Sequence, residues 1–513
     1  MNNALARIGI TLLITAGLFT GCATAPIDYP RTYSEAITDT RETPLGQAAA
    51  DWQKQHPGTS GFYPLLNGTD ALGARLALID AAESSIDAQY FLMKHDMAGT
   101  VFVGKLLEAA DRGVRVRLLV DDVFTTVDDD SFLLLNQHPN IEMRLFNPIG
   151  RGGASYWLNY LGDFDRANRR MHNKSFTVDN QVSIVGGRNI AEEYFALKSG
   201  QEFRDADMLC LGPVAKDIAR TFDRFWNHEL SVPIEAFDTG NKNLDLATVR
   251  AEVSEERLKK AETIYKRAIE SDLIKDIGND RIALFPAQYE VITDDPEKLL
   301  NKISSDQQIL ITRMADVVMN ANFEVIVVTP YLVPGDTGIE FWEEVINNDV
   351  RVIMMTNSLA SINHIPVHAG YARYRHRLID IGVDLYEMRV DATSTPDGSD
   401  EKAIESTTLH TKAIMVDRKL LFIGSLNLDP RSIDINTEMG VLINSSEMSE
   451  RIAIPFMEYL PTTTYRVTEA EDGSLRWTSI IDDVKVVEKS EPQASTWRRF
   501  KAFLSRVLPE SQL

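Results

Sequence analysis

Cysteine, positive charge and long apolar runs are all in short supply in this chain, and each shortage excludes something. Lys and Arg together number 53 against 75 Asp and Glu, a formal charge of −22. That balance disfavours a sequence-independent nucleic-acid binder, whose affinity comes from neutralising phosphates with a basic surface. The apolar run from Ile8 to Phe19 is too short to span a bilayer, and no later segment is apolar enough to try. The two cysteines are Cys22 and Cys210; the second lies in an apolar strand-like stretch and reads as inert packing. What remains is ordinary for a protein with a real core, 44% hydrophobic and 25% charged.

Against this background one stretch occurs twice. His172-Asn-Lys174-Ser-Phe-Thr-Val-Asp179 runs on to Gly186-Gly187-Arg188-Asn189, and His410-Thr-Lys412-Ala-Ile-Met-Val-Asp417 runs on to Gly424-Ser425-Leu426-Asn427. Both read H-x-K, four residues, D, six residues, G, two residues, N. The copies lie 238 positions apart, and Arg115–Asp122 matches Arg351–Ser358 at nearly the same offset. Two related halves are therefore expected, although the length alone would allow three or four domains. In an extended strand His and Lys two apart share a face, while the Asp seven after the His leaves by the other. Each copy then continues as a buried hairpin turning at Asp179-Asn-Gln181 or Asp417-Arg-Lys419.

Along the chain, residues 23 to 60 are rich in Pro, Thr, Asp and Ala without periodicity and read as a tether. Strands and helices alternate from residue 61 to 234, predicting an α/β half with a largely parallel sheet covered on both faces. Residues 235–305 read as a helical connector, residues 306–482 repeat the plan of the first half, and 483–513 form an amphipathic tail. In that tail Trp497, Phe500, Leu504, Val507 and Leu508 make one stripe with arginines and Lys501 off it. Such a helix either docks on the core or lies in a membrane interface. The Arg-rich stretch before the first motif, from Asn147 to Arg170, is either a solvated basic face or the entrance for an anionic ligand.

A phosphodiester repels nucleophiles through its charged oxygens and has a poor alkoxide leaving group. Two His and two Lys meet both difficulties: one imidazole attacks phosphorus, the other protonates the departing oxygen, and Lys174 and Lys412 hold the phosphoryl oxygens. Asn189 and Asn427 are candidate further donors, as is the Ser425 hydroxyl, for which the first copy substitutes Gly187. Asp179 and Asp417 complete the motif's candidate catalytic set but face away as turn anchors. No metal or cofactor is required. His364, His368 and His376 do not make a metal site, because Pro366 interrupts the first pair and no carboxylate pattern accompanies them.

These paired motifs resemble those of the phospholipase D superfamily. The resemblance is nearest to bacterial cardiolipin synthases of the type lacking transmembrane helices, and Ser60–Leu65, Ile86–Leu92, Ala109–Arg117, Arg169–Asp179 and Phe222–Asn227 carry it beyond the motifs. It implies an α/β protein of two pseudo-twofold-related phospholipase D-like domains, each a mixed sheet flanked by helices. It implies transfer of a phosphatidyl group to phosphatidylglycerol, from phosphatidylglycerol itself or from phosphatidylethanolamine, to give cardiolipin. The family's extended pattern reappears as Asn427-Leu-Asp-Pro-Arg431-Ser432-Ile-Asp-Ile-Asn436-Thr-Glu438, in which such a Glu orients a catalytic His. In the first copy Asp207, after Phe203-Arg-Asp, looks like its counterpart. By resemblance to a bacterial lipoprotein signal, Leu18-Phe-Thr-Gly-Cys22 ends a signal of residues 1–21 and makes Cys22 the lipidated first residue, the alternative being ordinary cleavage near Ala25. Ala23 after the cysteine then favours the outer membrane, with the body facing the periplasm. Hydrolysis on the same fold, by a phospholipase or nuclease, and a non-catalytic envelope lipoprotein are the other readings open at this stage.

Overall fold

The computed structural model describes residues 25–151, 156–198, 200–237, 246, 255–271, 273–275, 283–300, 308–392 and 406–510. Among the described residues 18 strands form one continuous sheet, and Gln201–Arg204 and Ser406–Leu409 pair parallel in a separate two-stranded one. In the first half the spatial order runs Ser231–Pro233, Ile141–Phe146, Arg115–Asp121, Ser85–Tyr90, Ser175–Val178, Val182–Gly186, Asp207–Leu211, Ser60–Leu65. There Ser60–Leu65 pairs antiparallel with Phe285–Thr293, and the second half follows as the mirror order of the first. It runs Met439–Asn444, Leu420–Gly424, Ala413–Val416, Glu324–Val328, Arg351–Asn357, Asp384–Met388, Thr464–Glu469. Three strands in each half are parallel neighbours, and the motif hairpin joins them antiparallel. The same order read outward from one shared seam is a pseudo-twofold, as the repeated sequence requires.

Each half has an apolar cluster between its sheet and its helices. Phe102, Leu106 and Ile79 pack on Ile86, Val116 and Phe176 in the first half, and Trp342, Leu378 and Tyr371 on Val352, Leu385 and Ile414 in the second. A third cluster fills the seam, where Phe62, Met208 and Cys210 meet Phe285, Ile326, Ile423 and Val441. Cys210 is fully buried there as packing, its thiol pushed up by burial.

The hairpin turns show why the motif ends in Asp. Asp179 and Asn180 have φ of 49° and 54°, and Asp417 and Arg418 have 53° and 46°. That left-handed pair opens the three-residue turns between Val178 and Val182 and between Val416 and Leu420, and Asp and Asn tolerate it. The carboxylates then tie each turn to the next strand: Asp179 accepts from the backbone N–H of Glu83, Ser84 and Ser85, and Asp417 from those of Asn322, Phe323 and Glu324. Both aspartates therefore build the scaffold and take no part in the reacting centre.

Two boundaries differ from expectation. The tether is shorter than residues 22–60, because from Ala25 onward the chain lies on the first half. Arg117 and Arg144, buried at the sheet, need acceptors, and an extended polar strand supplies them through its backbone. Arg117 donates to Ser34 O (2.9 Å) and Arg144 to Thr32 O (2.5 Å), while Trp226 Nε1 donates to Ser34 Oγ (2.9 Å). The helix Pro44–Gln55, capped by Thr43, follows. An acceptor strand of this kind needs no hydrophobic periodicity, so it leaves no pattern to read. The connector is also shorter, since Phe285–Thr293 is the first strand of the second half. Its Pro286 and Gln288 face outward between the buried Phe285 and Ala287, the alternation of a half-buried strand. Within the expected connector the helix Glu255–Ile269 buries Ile264 and Ala268 and lies against the helix Gly68–Ala81 of the first half.

Candidate active site

Both motif histidines lie at the seam, and each is held by the opposite half. The His172 backbone N–H donates to Thr437 O (3.0 Å), and the His410 N–H donates to Arg204 O (2.7 Å). The residue after each carbonyl is the carboxylate that orients the ring. His172 Nδ1 lies 2.8 Å from Glu438 Oε2 and 3.0 Å from Oε1; His410 Nδ1 lies 2.5 Å from Asp205 Oδ2. With Nδ1–H donated to a carboxylate, Nε2 of each ring is the atom left for chemistry. The crossing makes two copies obligatory: neither half holds both a His and the acid that orients it.

The lysines complete the cage. Lys174 Nζ donates to His172 O (2.6 Å) and stands 5.1 Å from the Phe91 ring. Lys412 Nζ donates to His410 O and lies 2.7 Å from His410 Nδ1. Phe91 meets His172 edge-on at 4.8 Å, while Tyr194 meets His410 edge-on at 5.0 Å and Phe203 stacks on it at 5.6 Å. His172 and His410 are only 7% and 5% exposed.

Burial sets the electrostatics. Desolvation, helped by the Lys174, Lys412 and Arg431 charges, holds His172 well below the usual imidazole range; desolvation and Lys412 hold His410 down to about 3. Burial pulls Lys412 down to about 8 and Lys174 well below its ordinary value. Burial also raises Glu438 to about 7. It acts on Asp205 in the same sense, but the His410 and Lys412 charges outweigh it and keep that carboxyl below the ordinary range. Two neutral imidazoles among desolvated ammonium groups make a site waiting for an anion.

Several expected site residues sit elsewhere than their assigned roles. Asp207 does not orient a histidine. It lies on the strand Asp207–Leu211, pairing with Arg75 (2.9 Å) and Arg188 (3.4 Å), and the orienting acid is Asp205, two residues earlier. Asn189 spends its amide on structure, accepting from Leu92 N–H and donating to the Tyr194 hydroxyl (3.0 Å), which sets Tyr194 against His410. The Ser425 hydroxyl donates to Glu438 Oε2 (2.5 Å), so it positions that carboxylate and not a substrate. Asn427 reaches Ser432 Oγ (3.3 Å) and leaves a buried Oδ1 without a partner. Cys22 lies outside the described residues. His364, His368 and His376 do not converge. His368 does approach Glu387 and Glu491, but the Arg375 guanidinium occupies the middle, at 2.8 Å from His368 Nε2, 2.8 Å from Glu387 and 2.5 Å from Glu491. The cluster is an ion-pair network already neutralised by a cation.

One cation carries no assignment from the sequence. Arg431 is half-buried and is held by neutral acceptors, Asn168 Oδ1 and Asn168 O, both at 2.7 Å. Among the described residues no carboxylate lies within ion-pair distance of it. Its charge is nonetheless felt at His172 and His364.

The geometry defines a class: a two-half α/β enzyme that moves a phosphoryl-linked group through a single seam site with two His and two Lys. The sequence profile described as "Cardiolipin synthase, PLD-like domain" matches residues 76–226 and 314–459. The chain is 36% identical over 470 residues to cardiolipin synthase C of Escherichia coli K12, covering 91% of this chain and 98% of that protein. It is 24% identical over 409 residues to a cardiolipin synthase of Geobacillus kaustophilus, covering 79% of this chain and 67% of that one. A crystal structure of phosphatidylserine synthase from Haemophilus influenzae shares the fold, with a TM-score of 0.56 at 12% identity over 91% of this chain and 100% of that one. The chain thus belongs to the cardiolipin synthase family with phospholipase D-like domains, and is a phospholipase D-type phosphatidyltransferase of phospholipid synthesis.

Proposed function

We propose that this enzyme makes cardiolipin, transferring a phosphatidyl group to phosphatidylglycerol through a phosphohistidine. The observation that carries the reading is the crossed pairing of His172 with Glu438 and His410 with Asp205. The site by itself holds His410 neutral; an entering phosphodiester anion, with the ionised Asp205 on the far side of the ring, favours its uptake of a proton at Nε2, so His410 acts as proton donor and His172 as nucleophile. The His172 Nε2 lone pair attacks phosphorus of the donor, phosphatidylglycerol or phosphatidylethanolamine. The bond from phosphorus to the headgroup oxygen breaks, and His410 Nε2–H gives that oxygen its proton. In the second step the headgroup hydroxyl of phosphatidylglycerol gives its proton to His410 and attacks phosphorus, breaking the P–N bond and freeing His172. Lys174 and Lys412 balance the phosphoryl charge throughout.

Labelled phosphatidylglycerol, supplied with and without phosphatidylethanolamine, tests the proposal. Labelled cardiolipin is expected; phosphatidic acid as the main product would mean that water is the true acceptor. We also propose that Cys22 carries a lipid anchor that keeps the enzyme at a membrane facing the periplasm. Fractionation of Cys22→Ala is expected to give altered processing and weaker membrane retention, and wild-type processing would sink the anchor.

A further inference from the structure

The helix Thr496–Ser505 packs on the body in the reverse of the usual sense. None of its residues is buried. It lies beside the helix Ile365–Tyr371 and is fastened there by polar groups. Arg498 donates to Leu359 O (2.8 Å) and to Ile362 O, Arg499 to Glu491 O (2.6 Å), and the Tyr374 hydroxyl to Glu510 (2.6 Å). Glu491, just upstream, is locked by Arg375 at 2.5 Å. The apolar stripe points away from the protein: Trp497 is 61% exposed, Phe503 62% and Val507 86%, with Phe500, Leu504 and Leu508 beside them. Lys501 stands 5.4 Å from the Trp497 ring and Arg506 6.0 Å from the Phe503 ring, so cations border the stripe.

Its position is tied to the site. The loop that seats Arg498 follows the strand Arg351–Asn357, and that loop holds the chain entering the second motif. Asn357 bonds Leu409 through both N–H and C=O, at 2.9 Å each, and Thr408 Oγ1 donates to Ser361 O (2.7 Å). The pseudo-equivalent loop of the first half, after Arg115–Asp121, exposes Phe124. That ring packs on Phe91 at 5.4 Å, and Phe91 touches His172. Both loops leave the carboxyl ends of parallel strands in pseudo-equivalent positions, one carrying an exposed aromatic and the other seating the aromatic helix.

We infer that this helix is a membrane-docking element which lays an anionic phospholipid surface across the mouth of the active site. An apolar stripe edged by Lys and Arg is the composition that binds an interface containing anionic lipid, in contrast to the −22 charge of the whole chain. A firmly fastened polar side gives the contact a fixed orientation, so that docking delivers headgroups to the two histidines. The inference rests on a phospholipid substrate but not on which acceptor is used.

The test uses the full chain in a Cys22→Ala background, so that no acyl anchor masks the tail. Flotation is measured on vesicles of phosphatidylglycerol and phosphatidylcholine, and turnover on the same vesicles and on a water-soluble aryl phosphodiester. Trp497→Ser/Phe500→Ser/Phe503→Ser is expected to lower vesicle binding at least about tenfold, to lower vesicle turnover in parallel and to leave soluble-diester turnover unchanged. Lys501→Glu/Arg506→Glu, which keeps the aromatics and the fastening arginines, is expected to lose binding to anionic vesicles selectively; this variant decides the matter if the triple variant fails to fold and loses soluble turnover. Flotation and vesicle turnover unchanged in the charge variant or in a folded triple variant would overturn the inference. So would a wild-type dimer that the triple substitution converts to monomer without affecting flotation, which would assign the stripe to a second copy of the chain.

Discussion

The two motif copies have the same spacing but reach their carboxylates differently. In the second half Ser425 bonds Glu438, the acid of His172, and so fixes a long side chain that burial has raised to about 7. In the first half the matching position is Gly187, and a Cβ there would lie 2.2 Å from Asp205 Oδ1. The short acid of His410 can approach only because that position has no side chain. Asp205 also lies beside the Arg188 charge, and the buried Arg75–Asp207–Arg188 cluster stands behind it. The comparison teaches that a sequence repeat can encode two unequal roles: an acid held below the ordinary range behind the proton donor and one raised by burial to about 7 behind the nucleophile.

Removing either ring should erase the comparison. His172→Ala and His410→Ala are each expected to lower turnover by more than about 10³-fold, since nucleophile and acid act as a unit. Asp205→Asn should follow at about 10²- to 10⁴-fold, by analogy with the loss of an orienting Asp in a hydrolase triad. Gly187→Ser, which pushes into the Asp205 carboxylate, is expected to cost about 10²-fold in kcat, whereas Ser425→Gly, which only frees Glu438, should cost about tenfold. Equal losses in those two would dissolve the asymmetry. Asp207→Asn should leave turnover per folded molecule nearly intact while destabilising the fold by about 3–5 kcal/mol in a denaturant titration, because it strands two buried arginines. The smallest effect is in pH dependence. Lys412 must be protonated to hold phosphate, and its value of about 8 makes kcat/KM of the wild type fall as pH rises through that region. In Lys412→Arg, which cannot lose its charge, that alkaline limb should vanish from the kcat/KM profile.

Legibility followed sequence distance. The halves were readable because one motif recurs 238 positions on, and the hairpins at Asp179 and Asp417 and the His/Lys pairs because each depends on residues within a few positions of one another. Asp205 was missed because its partner is 205 positions away and a second Asp stands at 207. Aligning the apolar strands Met208-Leu-Cys210 and Val441-Leu-Ile443 would have separated them, since it sets Asp205, not Asp207, opposite Glu438. The roles of Asn189 and Ser425 were hidden for a related reason. A polar residue beside a catalytic motif reads as a substrate donor, while its true partners, Tyr194 and Glu438, are found only by folding. The segment from Ala25 to Ser60 was misread because its contribution is backbone carbonyls for Arg117 and Arg144, and carbonyls have no letter in a sequence.

The central claim is that one site uses His172 as nucleophile and His410 as its acid. Rapid acid-free quenching of turnover with labelled phosphatidylglycerol, followed by peptide mapping, reads it directly. A phosphatidyl adduct on the peptide containing His172, with none on that containing His410, is the predicted result. An adduct on His410 would reverse the two roles and contradict the account drawn from Asp205 and Glu438.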